Sequence, residues 1–308
     1  YNNNNKIIFD KKNSLNFLND ALATGGFSLE ISKNYKLNKP LVIYNHFSNS
    51  LKETIVNYKN LIILNENSKL NLINYVNESI QENFMVNTIE NIKIKKNSSL
   101  SNIFINNSKC NGYFYKYIQS NLEKNSNFEN YLFSSGLKFN KIDIVVNFNE
   151  EHSKSSIFSA LNLNNNEHQE IKTRINHNSP HCQSFQKIKD VLSDESKGVY
   201  QGKIFVKKIA QKTDAYQLSK ALLLTDNAEF NSKPELEIYA DDVKCSHGST
   251  SGNIDQDSIH YLMTRGLSKK DSTKLLIKGF LNDVVEFIKS SSIRNFVETK
   301  LEENINGY

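Results

Sequence analysis

Two short stretches of this chain bring together side chains able to act on a metal or on sulfur. In Cys245-Ser246-His247 the two reactive residues are separated by a single residue. If the segment is extended, alternate side chains share a face, so thiol and imidazole point the same way. Together they form a donor pair suited to a soft or borderline metal. Taken alone, C-x-H reads more readily as a buried cysteine beside a hydrogen-bonded histidine. The second stretch, His177-Asn178-Ser179-Pro180-His181-Cys182, holds two histidines and a cysteine around a proline-constrained turn. An autonomous metal-binding protein could use His177, His181 and Cys182. We favour a structural role, because histidines and thiols on packed coils are commonly satisfied by local hydrogen bonds.

Other chemistries leave no trace. The sequence has no phosphate-cradling G-x-x-x-x-G-K-[ST] loop, no serine in a G-x-S-x-G elbow and no C-x-x-C pair. It reads as a platform for chemistry, not an enzyme with its own nucleophile. Its 308 residues are 38% hydrophobic, enough for a sizeable core. The net charge of +5 is spread among interleaved acids, a poor footprint for nucleic acid. Three scattered cysteines, Cys110, Cys182 and Cys245, suggest a reducing compartment and no disulfide framework. No apolar run is long enough for a membrane span, and none follows a charged start as in a leader.

The elements that must position these residues repeat. Asn67-Ser68, Asn97-Ser98, Asn125-Ser126 and His152-Ser153 recur at steps of 30, 28 and 27 residues. Each lies between short runs rich in branched and aromatic residues, such as Leu61-Ile62-Ile63-Leu64 and Ile103-Phe104-Ile105. Such runs suit strands, and asparagine tolerates the left-handed backbone of a turn. A fixed strand-turn-strand step implies a solenoid in which asparagines at one corner stack into a ladder. A β-sandwich of regular hairpins is the alternative. The ends differ. Leu15, Leu18 and Leu22 predict a helix over 13–24 that caps the first coil and is stopped by Gly25-Gly26. From about Asp255 the period is helical: Ile259, Leu262 and Met263 end at Gly266, Ser268 and Asp271 resemble a capping box, and Ile277, Leu281, Val284, Val285 and Ile288 form a second face. The expected organisation is a helical cap over 1–26, a β core over 27–254 and a helical domain over 255–308.

The run from Lys212 to Gly252, and Pro234 to Gly248 above all (PELEIYADDVKCSHG), closely resembles the SufD branch of the SufB/SufD family, the scaffold subunits of the SUF iron-sulfur cluster assembly system. Thr173 to Ser184 matches a phrase shared by both branches, which supports a place for His177, His181 and Cys182 in the coil architecture. Leu18 to Leu41 is also family-like. The helical region usual ahead of the β-helix is mostly absent from this sequence. The resemblance implies a mainly β fold, a right-handed parallel β-helix with a short N-terminal helix and a C-terminal helical domain. It implies a non-catalytic scaffold that pairs with SufB through the last coils and binds the SufC ATPase through the C-terminal helices, with Met263, Arg265, Leu267, Ile277 and Leu281 as docking residues. His247 would face SufB where a transient cluster forms and could ligate its iron, with Cys245 beside it and the principal thiolate coming from SufB. No permanent cofactor, nucleic acid or membrane is expected. A homodimer could form without SufB, and the compartment would be cytoplasm or the stroma of a plastid-type organelle. Removing the chain from Asp255 onward is expected to abolish SufC binding and leave the β-helix soluble. The competing reading is a secreted β-helix carbohydrate-active enzyme of the pectin-lyase type.

Overall fold

A computed structural model describes residues 13–47, 51–76, 78–80 and 82–305. The chain winds between two sheets whose described pairings are all parallel. One holds β1 (Ser28–Ile31), β3 (Thr54–Leu64), β5 (Ser79–Ile80), β6 (Phe84–Ile94), β8 (Lys109–Leu122), β10 (Leu137–Phe148), β12 (His168–His177), β14 (Lys197–Val206) and β16 (Glu229–Ile238). The other holds β2 (Leu41–Asn45), β4 (Lys69–Val76), β7 (Ser99–Asn106), β9 (Asn127–Ser135), β11 (Lys154–Leu163), β13 (Gln183–Leu192), β15 (Asp214–Leu223) and β17 (Lys244–Asn253). Each strand pairs with the equivalent strand of the neighbouring coil, which makes the molecule a parallel β-helix and answers the sandwich alternative. The interior is a stack of Leu, Ile and Phe contributed by successive coils, among them Leu64, Ile94, Leu122 and Phe148.

The corner from the first sheet to the second shows why the repeat has its composition. Asn34, Asn67, Asn97, Asn125, His152, His181 and Lys212 all have positive φ, between 56° and 64°. Asparagine tolerates this region best among residues with a Cβ. Its amide then bonds the preceding coil: Asn67 donates to Asn34 at 2.9 Å, Asn97 to Asn67 at 3.0 Å and Asn125 to Asn97 at 3.1 Å. Beyond Asn125 imidazoles take over, His152 and His181 stacking at 4.8 Å. The expected ladder is present.

Helix α1 (Ser14–Leu22) is capped by Asn13, whose side chain accepts from the backbone of Leu15 and Asn16. It lies across the flank of the first sheet and not over the end of a coil. Asn19 donates to the carbonyls of Asn87 (2.7 Å) and Tyr58 (3.3 Å), and Asn13 donates to the Tyr115 hydroxyl. Residues 1–12 of the expected cap lie outside the described residues. Gly26, at φ 138°, passes so close to Lys59 that a Cβ would stand 1.8 Å from its carbonyl oxygen.

After β17 come α2 (Gln256–Thr264), α3 (Lys269–Val285) and α4 (Ser291–Ile305). The Ser268 hydroxyl accepts from the Asp271 backbone, the N-cap expected from the sequence, and donates to the Asp271 carboxylate, where a full capping box would have that carboxylate accept from the Ser268 amide. Helices α3 and α4 fold back over the outer face of the second sheet. Ile277, Leu281, Val284, Ile293 and Val297 are buried there against Ile103, Ile105, Tyr131, Phe133 and Phe158. Phe158 stacks on Phe287 at 4.5 Å, and Lys187 and Lys189 both pair with Asp283. The tail is therefore a third layer of the molecule.

Candidate functional site: the open end of the β-helix

The last coil has no successor, so β16 and β17 are edges. Their register fixes what each edge offers. The Lys244 and Ile254 amides bond back to β15, at the Thr213 and Leu223 carbonyls. In a parallel ladder alternate residues bond the same neighbour, so the amides of Cys245, His247, Ser249 and Ser251 face outward. On β16 the Glu229 and Tyr239 amides bond toward β14, which puts the even-numbered residues on the free edge. Pro234 is among them, an edge position where the missing N–H breaks no ladder bond. β17 thus presents the more complete edge.

Cys245 and His247 share the inward face, as the extended reading requires. Cys245 continues the column of Ser184 and Ala215, and His247 that of Gln186 and Gln217. They differ in setting. Cys245 is half-buried and packs against the small apolar cluster of Ile204, Val206 and Ala215. Burial, reinforced by the Asp214 charge, pushes its thiol above the usual range. That disfavours the thiolate, the form that ligates and attacks. His247 is exposed, and among the described residues its ring has no hydrogen-bond partner. Of the two, it is the side chain free to engage something beyond the chain.

Three polar residues lie behind it. Tyr200, on β14, is 1% exposed, and its hydroxyl is 3.2 Å from Gln217 Oε1 and 3.3 Å from Gln186 Oε1. Sequence reading missed this group. The signal was available: Gln186, Gln217 and His247 are 31 and 30 residues apart, the coil period itself.

The 177–182 stretch is not assembled as a ligand set. His177 is fully buried, stacks on Phe148 at 4.6 Å and shares a 2.9 Å hydrogen bond with Ser184. Its desolvation holds the ring neutral, with a pKa lowered to about 3. His181 is turned out at the corner onto His152, and Cys182 is buried with its thiol donating to the Glu150 carbonyl at 3.3 Å. Three residues aimed three ways leave no common point for a metal.

The expected docking residues divide. Met263, Arg265 and Leu267 are exposed on and just after α2, where Arg265 lies over the exposed Tyr261 ring at 5.2 Å. Ile277 and Leu281 are 0% exposed. Periodicity correctly made them an apolar face, but that face is spent against the second sheet, so they are removed from the docking surface.

Residues 46–280 match the family model described as the SufBD core domain of SUF system FeS cluster assembly. The chain is 36% identical over 159 residues to the iron-sulfur cluster assembly protein SufD of Escherichia coli, covering 52% of this chain and 38% of that protein. It is 33% identical over 159 residues to a SufBD family protein of Synechocystis, covering 52% and 35%. Against the chloroplastic protein ABCI7 of Arabidopsis thaliana it is 25% identical over 243 residues, covering 78% and 51%. The chain spans about half, or less, of the length of these relatives. Fold, site and comparisons converge: the chain belongs to the SufBD core family of the SUF iron-sulfur cluster assembly system.

Proposed function

We propose that this chain is a non-catalytic scaffold subunit in iron-sulfur cluster assembly, joining SufB through the open coil end and the SufC ATPase through the surface around α2. The observation that carries this reading is the uncovered β17 edge, with its row of outward amides and His247 on the same strand. Strand addition there satisfies a row of donors and acceptors and buries the inward face of the last coil. His247 then stands between the subunits, where a neutral imidazole ligates iron of the nascent cluster. Cys245, with its raised thiol pKa, is the weaker donor, so the main thiolate comes from SufB. Exposed Met263, Leu267 and Tyr261 provide an apolar patch for the ATPase, and movement there reaches the cluster site through the last coil. The cytoplasm or a plastid stroma is the setting.

The test exploits the alternation of amides. Ser251→Pro removes one outward N–H and leaves the β15 ladder whole, so the isolated chain should keep its stability to within about 1 kcal/mol. Capture of SufB from a co-expressing cell should fall sharply. Undiminished capture would show that β17 is not the joining edge.

A further inference from the structure

Register places an apolar lane on the outer face of the first sheet. Ile55 pairs with Met85, Met85 with Tyr113 and Tyr113 with Phe139, so the four side chains stand side by side across successive coils. They point away from the interior, because side chains alternate along a strand and the adjacent Phe84 and Phe114 belong to the core. Ile55 is 51% exposed and Tyr113 40%, while Met85 and Phe139 are half-buried. The Tyr113 and Phe139 rings lie 6.0 Å apart. Together with Leu15 of α1 these residues line a groove of about 290 Å³.

A contiguous apolar lane calls for a cover. On the second sheet the outward apolar side chains lie under α3 and α4. On the first sheet α1 sits over the adjoining rows, bonded to Asn87 and Tyr115 and packed through Leu15 on the cluster of Ile89, Tyr115 and Tyr117. Leu15 alone of its side chains lines the groove. The chain leading into α1 arrives beside the lane: Asn13 donates to the Tyr115 hydroxyl at 2.6 Å, and Tyr115 lines the groove. Ahead of Asn13, Ile7-Ile8-Phe9 is the one apolar run, with Lys6 before it and Lys11 and Lys12 after it. Phe9 is four residues from Asn13, a reach of up to about 14 Å, or about three strand spacings. The flanking lysines suit Glu53, an exposed carboxylate on the rim of the groove.

We propose that Ile7-Ile8-Phe9 is the occupant of this lane, with Phe9 seated against Tyr113 and Phe139, two residues along β8 from the Asn13 anchor at Tyr115. The run then does for the first sheet what α3 and α4 do for the second, taking apolar side chains on both partners out of water. The short tether lets weak contacts suffice. It holds the run beside the groove at an effective concentration of order millimolar, so an affinity too low to join separate molecules still keeps it seated. The occupant is this chain's own segment, not a second copy or another protein.

The chain contains no tryptophan, so Phe9→Trp places a single fluorescent reporter in the full chain. Acrylamide quenching of that reporter is compared with quenching of a synthetic peptide of residues 1–12 carrying the same change. In the chain it should be weaker by about threefold, as for a segment docked most of the time. Tyr113→Asp, at an exposed position, should return it to the peptide's level. If that variant does not fold, Phe139→Ser tests the same wall from the neighbouring coil. Ile8→Asp, ahead of α1 and outside both sheets, should have the same effect. Quenching in the Phe9→Trp chain equal to the peptide's overturns the proposal. Protection that survives in the folded wall variant seats the run elsewhere and overturns it too. Protection that fades on dilution makes the occupant a second copy's segment, which also overturns it. Protection that is independent of dilution and lost in the wall and segment variants establishes the contact.

Discussion

Two titratable residues inside the solenoid pull its stability in opposite directions with pH. His177 is held neutral by burial, its pKa down to about 3. Its contribution is present above the unfolded value near 6.5 and is lost as pH falls through the acid range. Asp190 is fully desolvated, and its carboxyl is raised to about 7. Its contribution is complete below about pH 4, where folded and unfolded chains both hold the proton. It is lost as pH rises to 7, at up to about 1.4 kcal/mol per pH unit. Asp190→Asn keeps the shape and removes the ionisation. Urea unfolding of the two chains should show the variant gaining on wild type between about pH 4 and pH 7, then a constant difference. A difference independent of pH would mean that Asp190 is ionised in the folded protein. The structural place of His177 was legible in the 177–182 phrase, whereas the role of Asp190 was not. A lone Asp in a strand gives no sign of facing inward until the register is known.

At the scale of the element, the corner ladder predicts a graded response. Asn97 occupies a left-handed backbone position at φ 58°, donates to Asn67 and accepts from Asn125. Asn97→Ala removes both side-chain bonds and leaves a Cβ in the disfavoured region, so we expect a loss of about 1–3 kcal/mol. Asn97→Gly removes the same bonds but relieves the backbone, and should be milder by about 1 kcal/mol. Chemical denaturation measures both, and equal losses would show that the backbone region contributes nothing. This corner was readable from sequence because one residue type recurs at a fixed step for a local reason. The helix capped by Ser268 was readable for the same kind of reason. The destination of the helices was not, since periodicity says that Ile277 and Leu281 share a face without naming what covers it. A clue lay in the strands: Ile103-Phe104-Ile105 and Tyr131-Leu132-Phe133 are apolar without alternation, the pattern of a sheet covered on both faces.

For the whole molecule, that second covering overturns the expectation that the β-helix stays soluble without its tail. Deleting residues 255–308 would uncover Ile103, Ile105, Tyr131, Phe133 and Phe158 as one apolar surface. The truncated chain should aggregate, as light scattering would show. A monodisperse truncated protein would mean that the layer contributes little. The docking proposal therefore calls for a gentler change: Met263→Asp with Leu267→Asp should weaken ATPase capture with the melting temperature nearly unchanged, and undiminished capture would move the docking site elsewhere. The same layer alters the mechanics of the fold. A bare solenoid is a row of units that feel only their nearest neighbours, so it frays and flexes one joint at a time. Here α3 and α4 touch strands from β4 to β13, like a splint bound along one side of a stack. A push on any splinted coil is therefore shared along the whole splinted span.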